Sequence, residues 1–116
     1  MSAKDVYDAL GEDYEKSLGR ALKEERMQKY FRLFLEDTSF GELEEAMSKD
    51  DMDAAFKAAH TLKGVAANLC FNKLSERASV LTEDLRNGAD INHAKEFFPE
   101  VRKEYIYVVD IVKNNQ

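Results

Sequence analysis

At 116 residues the chain is long enough for one domain whose buried core needs no disulfide or metal staple. Apolar residues at 44% and charged residues at 34% exclude a disordered chain, while a lone cysteine, Cys70, excludes an internal disulfide and fits a reducing cytoplasm. A net charge of −6, with no basic stripe with interleaved aromatics to offset it, argues against nucleic acid as a partner, and no apolar run is long enough to span a bilayer.

Helical spacing dominates from end to end, and strand-like alternation is nearly absent. Met1 to Asp5 lack the charged-then-apolar pattern of a signal peptide, so a cytoplasmic location is expected. Val6, Leu10, Tyr14, Leu18 and Leu22 follow at steps of four, interrupted by Gly11 and Gly19, which predicts one or two short helices. Residues 1–22 thus read as a helical extension, and residues 23–116 as the main body. Lys23 to Asp37 carries Met27, Tyr30, Phe31, Phe34 and Leu35 as one apolar stripe, the clearest amphipathic helix in the chain. Ser39 and Glu42 have capping-box spacing ahead of Leu43, Ala46 and Met47. Asp50 or Asp51 can cap a central helix running to about Leu69, and Asn72 can cap the next, which carries Leu74, Ala78, Leu81 and Leu85 and stops at Asn87-Gly88. The last stretch, from about Asn92 to Lys113, repeats Phe98, Val101, Tyr105, Val108 and Val112, with a break expected near Phe97 to Pro99. Helices joined by short turns predict an antiparallel bundle.

The central helix is the most informative segment. Counting about 100° per residue from His60, the residues Asp53, Phe56, Lys63, Gly64 and Ala67 fall within about 60° of it, with Lys57 at the edge. Ala55, Ala58, Leu62, Val65, Ala66 and Leu69 lie on the other side and look into the bundle. His60 is therefore expected to face outward. Imidazole is a good nucleophile near pH 7, because its reference pKa is about 6.5. Lys63, one turn on, can neutralise the oxygens of an anion carried on the ring. Gly64 costs about 1 kcal/mol relative to alanine inside a helix. Turned away from the apolar side, it suggests close approach by another molecule rather than tight internal packing. Phe56 and Phe71 are expected to supply the apolar anchor of such a docking surface.

The run Ala58-Ala59-His60-Thr61-Leu62-Lys63-Gly64-Val65-Ala66-Ala67-Asn68-Leu69 closely resembles the central motif of histidine-containing phosphotransfer (HPt) domains. The flanks, Lys29 to Asp37 and Leu43 to Asp51, resemble the helices that precede it in that family, and the likeness extends over about residues 23–113. The resemblance implies an all-α, up-and-down antiparallel four-helix bundle with additional short N-terminal helices. It implies that His60 accepts a phosphoryl group from a receiver-domain aspartate or a histidine kinase and passes it to another receiver aspartate. Lys63 is then the electrostatic partner and Gly64 the clearance residue, with receiver docking through Phe56, Lys57, Ala67, Asn68 and Phe71. The implied partners are response-regulator receiver domains and a hybrid histidine kinase. No nucleotide loop, cofactor or metal is expected in the chain, any Mg²⁺ belonging to the receiver. One departure stands out: Cys70 occupies the position where the family usually has a glycine that ends the helix with positive φ.

Rival readings are an HPt-like module that binds receivers without carrying phosphate, and a substrate domain labelled directly by a kinase. The chain's apparent completeness argues against the second. A zinc site from His60, His93 and Cys70 matches no recognised ligand spacing. His93 reads as a surface residue at a helix start, and Cys70, at a helix carboxyl end, is poorly placed to be a thiolate. Self-repulsion of the net negative charge favours a monomer.

Overall fold

The computed structural model describes residues 2–14, 23–88 and 90–116, which form seven α-helices and no strand. They are α1 (Ala3–Leu10), α2 (Glu24–Glu36), α3 (Ser39–Ser48), α4 (Met52–Asn68), α5 (Asn72–Arg86), α6 (Ile91–Ala94) and α7 (Phe98–Asn114). The expected Leu18, Gly19 and Leu22 part of the amino-terminal pattern lies outside the described residues. The all-α class and the bundle architecture hold: the molecule is elongated, 44 × 23 × 19 Å. Helix α4 packs most extensively on α5 and α3, α5 on α7, and α7 against α1 and α2. Three-residue turns join α3 to α4 and α4 to α5, so these neighbours run antiparallel.

Each helix buries the stripe its spacing dictates. Met27, Phe31 and Phe34 of α2 are buried, as are Leu74, Ala78, Leu81 and Leu85 of α5, and Val101, Val108 and Val112 of α7. Burying each large apolar side chain is worth about 1.5–3 kcal/mol, which outweighs the weak intrinsic propensity of short helices. On α4 the inward residues are Ala55, Ala58, Ala59, Leu62 and Ala66. Their small side chains let α3 and α5 approach closely from both flanks, which fixes the direction of the opposite face.

Three helices stop by one device. Gly11, Asp50 and Cys70 all adopt left-handed φ, at 75°, 55° and 56°. In each case the following amide donates five residues back: Glu12 to Tyr7, Asp51 to Ala46 and Phe71 to Ala66. The left-handed residue itself donates three back, giving the Schellman pattern each time. Glycine reaches this conformation freely and aspartate tolerates it, whereas cysteine does so at a cost. Cys70 therefore takes the conformation of the glycine it replaces.

Several expected caps move. The Ser39 box does not form: Thr38 is the N-cap, and the Asp37 carboxylate accepts from both the Ser39 amide (2.8 Å) and the Ser39 hydroxyl. Asn72 is not a cap but the first residue of α5, and its side-chain amide donates to Glu12 at 2.8 Å. Asp51 does cap α4, accepting from Ala54 N–H at 3.1 Å. The break before the last helix is real, with Pro99 at its second position, where the missing N–H is harmless. Asp90, unforeseen, caps the short α6 through the Asn92 amide at 2.9 Å.

The first helix is tied into the same core. Ala3, Val6 and Tyr7 are buried, the Ala3 amide donates to Glu24 (2.7 Å), and the Asn115 side chain donates to the Ser2 carbonyl (3.0 Å). Tyr7 is 0% exposed, and its hydroxyl donates to the Leu69 carbonyl at 2.7 Å, satisfying an orphan acceptor at the end of α4. Burial pushes that phenol above its ordinary range, with Cys70 and Tyr14 adding to the effect.

Candidate functional site

The outward face of α4 is set by its alanines. With Ala59, Leu62 and Ala66 buried against neighbours, His60 is turned to solvent, along with Lys57, Ala67 and Asn68. The His60 ring lies parallel to that of Phe56, one turn earlier, with centroids 6.0 Å apart and 8° between planes. Among the described residues it has no hydrogen-bond or ion-pair partner, so both nitrogens are open apart from this flat contact.

Lys63 sits one turn further, half-buried, with no carboxylate partner among the described residues. Its carbonyl accepts from the Ser75 hydroxyl at 3.2 Å, fixing the backbone of α4 against α5 at this point. Gly64 is the most telling residue. A Cβ placed there would meet nothing within 4 Å, so no neighbouring helix of this chain requires the glycine. Its smallness leaves empty space on the outside, beside the imidazole. The internal-packing explanation is therefore excluded.

One of the two expected anchors needs revision. Phe71 is not a docking residue: it is 1% exposed and packed among Tyr7, Phe31 and Phe34, at ring distances of 5.9, 6.3 and 5.1 Å. The left-handed turn at Cys70 is the reason, because it folds the chain back and drives the next side chain inward. Phe56 is only partly exposed, and the Arg86 guanidinium of α5 lies 5.5 Å from its ring centroid. Phe56 thus lies close to both a guanidinium and the imidazole. Arg86 was not singled out in the sequence, since nothing in its local spacing shows that α5 brings it over α4.

The structure also shows an open groove between α2 and α4, lined by Tyr30, Leu33, Phe34 and Asp37 on one side and Val65, Asn68 and Leu69 on the other. Leu33 is 49% exposed there, comparable to Val80, Ile106 and Tyr107 elsewhere, and adds apolar surface to the groove. The groove begins about 7 Å along the helix from His60, at 1.5 Å per residue. Gly64 lies between the two, and Asn68 belongs to the groove itself. An apolar patch beside an open nucleophile is what a protein partner would need for docking.

His93 is differently placed. Its Nδ1 lies 2.6 Å from an Asp84 carboxylate oxygen, and its ring stands edge-on to Phe97 at 5.4 Å. It links α6 to α5. Among the described residues no cluster of three or more His, Cys, Asp or Glu side chains has metal-binding geometry. Nor is any described helix long and apolar enough to cross a membrane.

No curated protein and no solved structure compared with the chain matched it. The family model of the Hpt domain matches residues 29–110, which is more than half of the chain. That span holds α4 with His60, Lys63 and Gly64, as well as α3, α5, α6 and most of α2 and α7. Hpt domains are the phosphotransfer modules of two-component signalling, working with receiver domains and histidine kinases, and the chain belongs to this family.

Proposed function

We propose that the chain is a phosphorelay carrier in which His60 takes a phosphoryl group from a receiver aspartate and delivers it to another. The observation that carries this reading is the juxtaposition on α4 of an unpartnered, outward imidazole and empty space at Gly64. The neutral ring attacks phosphorus through its distal nitrogen, Nε2. An N–P bond forms as the acyl phosphate P–O bond breaks, and the aspartate leaves as a carboxylate. The proton on Nδ1 stays, so the product is a phosphoimidazolium that returns the group by the reverse step. Lys63 offsets the negative charge of the equatorial oxygens, and the Phe56 ring lies parallel to the imidazole. The partner's aspartate must lie in line with the attacking nitrogen, so the partner completes the geometry. The groove beside Leu33 and Val65, with Lys57, Ala67 and Asn68, receives the partner's surface.

Incubation with a radiolabelled phospho-receiver tests this. Wild-type chain takes up acid-labile, base-stable label, and His60→Gln takes up none while keeping its helical spectrum. Receiver binding without label transfer would leave only an interaction module.

A further inference from the structure

The chain is acidic, yet α2 is not. Arg26, Lys29, Tyr30 and Leu33 stand at positions i, i+3, i+4 and i+7, which places them in one row along a single face of α2. Arg26, Lys29 and Leu33 are exposed and Tyr30 half-exposed. Tyr30, Leu33 and Phe34 form the α2 wall of the groove, with Asp37 at its carboxyl end, and Lys23, Arg26, Lys29 and Arg32, with Glu25 among them, surround Tyr30 at the amino-terminal end of that wall. None of Lys23, Arg26 and Lys29 has an ion-pair partner among the described residues, although the chain carries 23 carboxylate residues against 17 lysines and arginines. Elsewhere carboxylates do capture cations: Lys49 pairs with Glu45, Lys95 with Asp50, Arg77 with Glu100 and Arg102 with Glu44.

The other end of the surface is mixed in sign. Along α3, Glu42 and the Lys49-paired Glu45 line a depression together with Lys49, Asp51 and Lys57. A partner seated on the groove therefore meets a cluster of unpaired cations towards the amino end of α2 and both signs towards α3. The groove supplies apolar contact, and the one-sided cluster of cations supplies a direction.

From this arrangement we infer that Lys23, Arg26 and Lys29 form an electrostatic rim which selects, among receiver domains, those whose docking face carries carboxylates on the edge that meets α2, and which sets their orientation over His60. The inference rests on the phosphorelay reading and adds the chemistry of the preferred partner. Charged rims act mainly on encounter: steering raises association rates by about 10- to 1,000-fold at low salt and fades as the Debye length shrinks.

The test uses the full chain and the separately purified receiver domains of the source organism, with transfer rates measured at about 0.05 M and about 0.5 M salt. Arg26→Glu/Lys29→Glu is compared with Lys73→Glu/Lys103→Glu, which removes the same charge from α5 and α7. The expected result is a loss of about tenfold or more in transfer from the preferred receiver for the α2 pair at low salt, shrinking at high salt, with a much smaller loss for the control pair. Receivers the wild type prefers should carry acidic residues on the facing edge. Equal losses for the two pairs, or none for the α2 pair, would overturn the inference. Vesicles of phosphatidylserine and phosphatidylcholine form a second arm: charge-dependent sedimentation with unaltered receiver transfer would assign the cations to a membrane surface and also overturn it. Labelling of wild-type chain by phosphoramidate, a small donor needing no docking, separates the two claims. Failure of that labelling counts against the phosphorelay reading, whereas normal labelling with unaltered transfer by the α2 variant counts against the rim alone.

Discussion

Replacing Cys70 by glycine should make the protein more stable, which is an uncommon outcome for a change next to a core. Cys70 holds φ at 56° because the Schellman turn after α4 demands it, and the amides of Cys70 and Phe71 then reach Ala67 (3.0 Å) and Ala66 (2.9 Å). A residue with a Cβ loses about 1–2 kcal/mol in that conformation, and glycine does not. Two terms act the other way. Glycine frees the unfolded chain by about 0.4–1 kcal/mol, and the half-buried thiol gives up some apolar contact. The balance is a gain of about 0.5 kcal/mol, or about 1–3 °C in Tm for a domain of this size. Urea unfolding followed by circular dichroism measures it, with Cys70→Val as the counterpart, since a β-branched residue is worse in the left-handed region. Cys70→Gly should raise the midpoint and Cys70→Val lower it by a larger amount. A glycine variant less stable than wild type, with valine tolerated, would refute the strain argument.

Other outcomes follow from the same geometry. Tyr7→Phe removes the donor to the buried Leu69 carbonyl at 2.7 Å and should cost about 1–3 kcal/mol in urea unfolding. Burial raises the Tyr7 phenol above its ordinary value of 10.0, so its neutral form favours the folded state. That stability is complete below pH 10 and lost as pH rises through the folded value, and Tyr7→Phe should flatten this alkaline decline. Gly64→Gln should leave thermal stability within about 1 kcal/mol of wild type, because nothing lies within 4 Å of the added carbon, while slowing transfer from a phospho-receiver several-fold. Phe71→Ala should cost about 3–5 kcal/mol, measured by urea unfolding, as expected for a core ring and unlike a docking residue.

Much of this was legible in the sequence, because helical periodicity is a local signal. The stripes Met27-Phe31-Phe34 and Leu74-Ala78-Leu81-Leu85 read directly as buried faces, and the alanines of α4 set the outward direction of His60 by simple rotation. What could not be read depends on how distant segments meet. Phe71 looked like an anchor beyond the helix end until the left-handed turn at Cys70 turned it into the core. Arg86 reaches Phe56 only because α5 lies along α4. The N-cap of α3 moved to Thr38, with Asp37 accepting from Ser39, because Ser39 is buried, a choice that tertiary packing makes over local pattern. The basic row on α2 was masked by the overall charge of the chain, and becomes visible once Leu33 and Tyr30 are seen to wall a groove.

The central claim is that one imidazole, His60, carries the phosphoryl group. Tandem mass spectrometry of chain labelled by a phospho-receiver, digested at alkaline pH to preserve N–P bonds, reads this by residue. The account predicts a single phosphorylated peptide with the added mass on His60 and none on His93, whose Nδ1 is engaged by Asp84 at 2.6 Å. Phosphorylation on His93, or an unlabelled His60 in a folded chain, would contradict it.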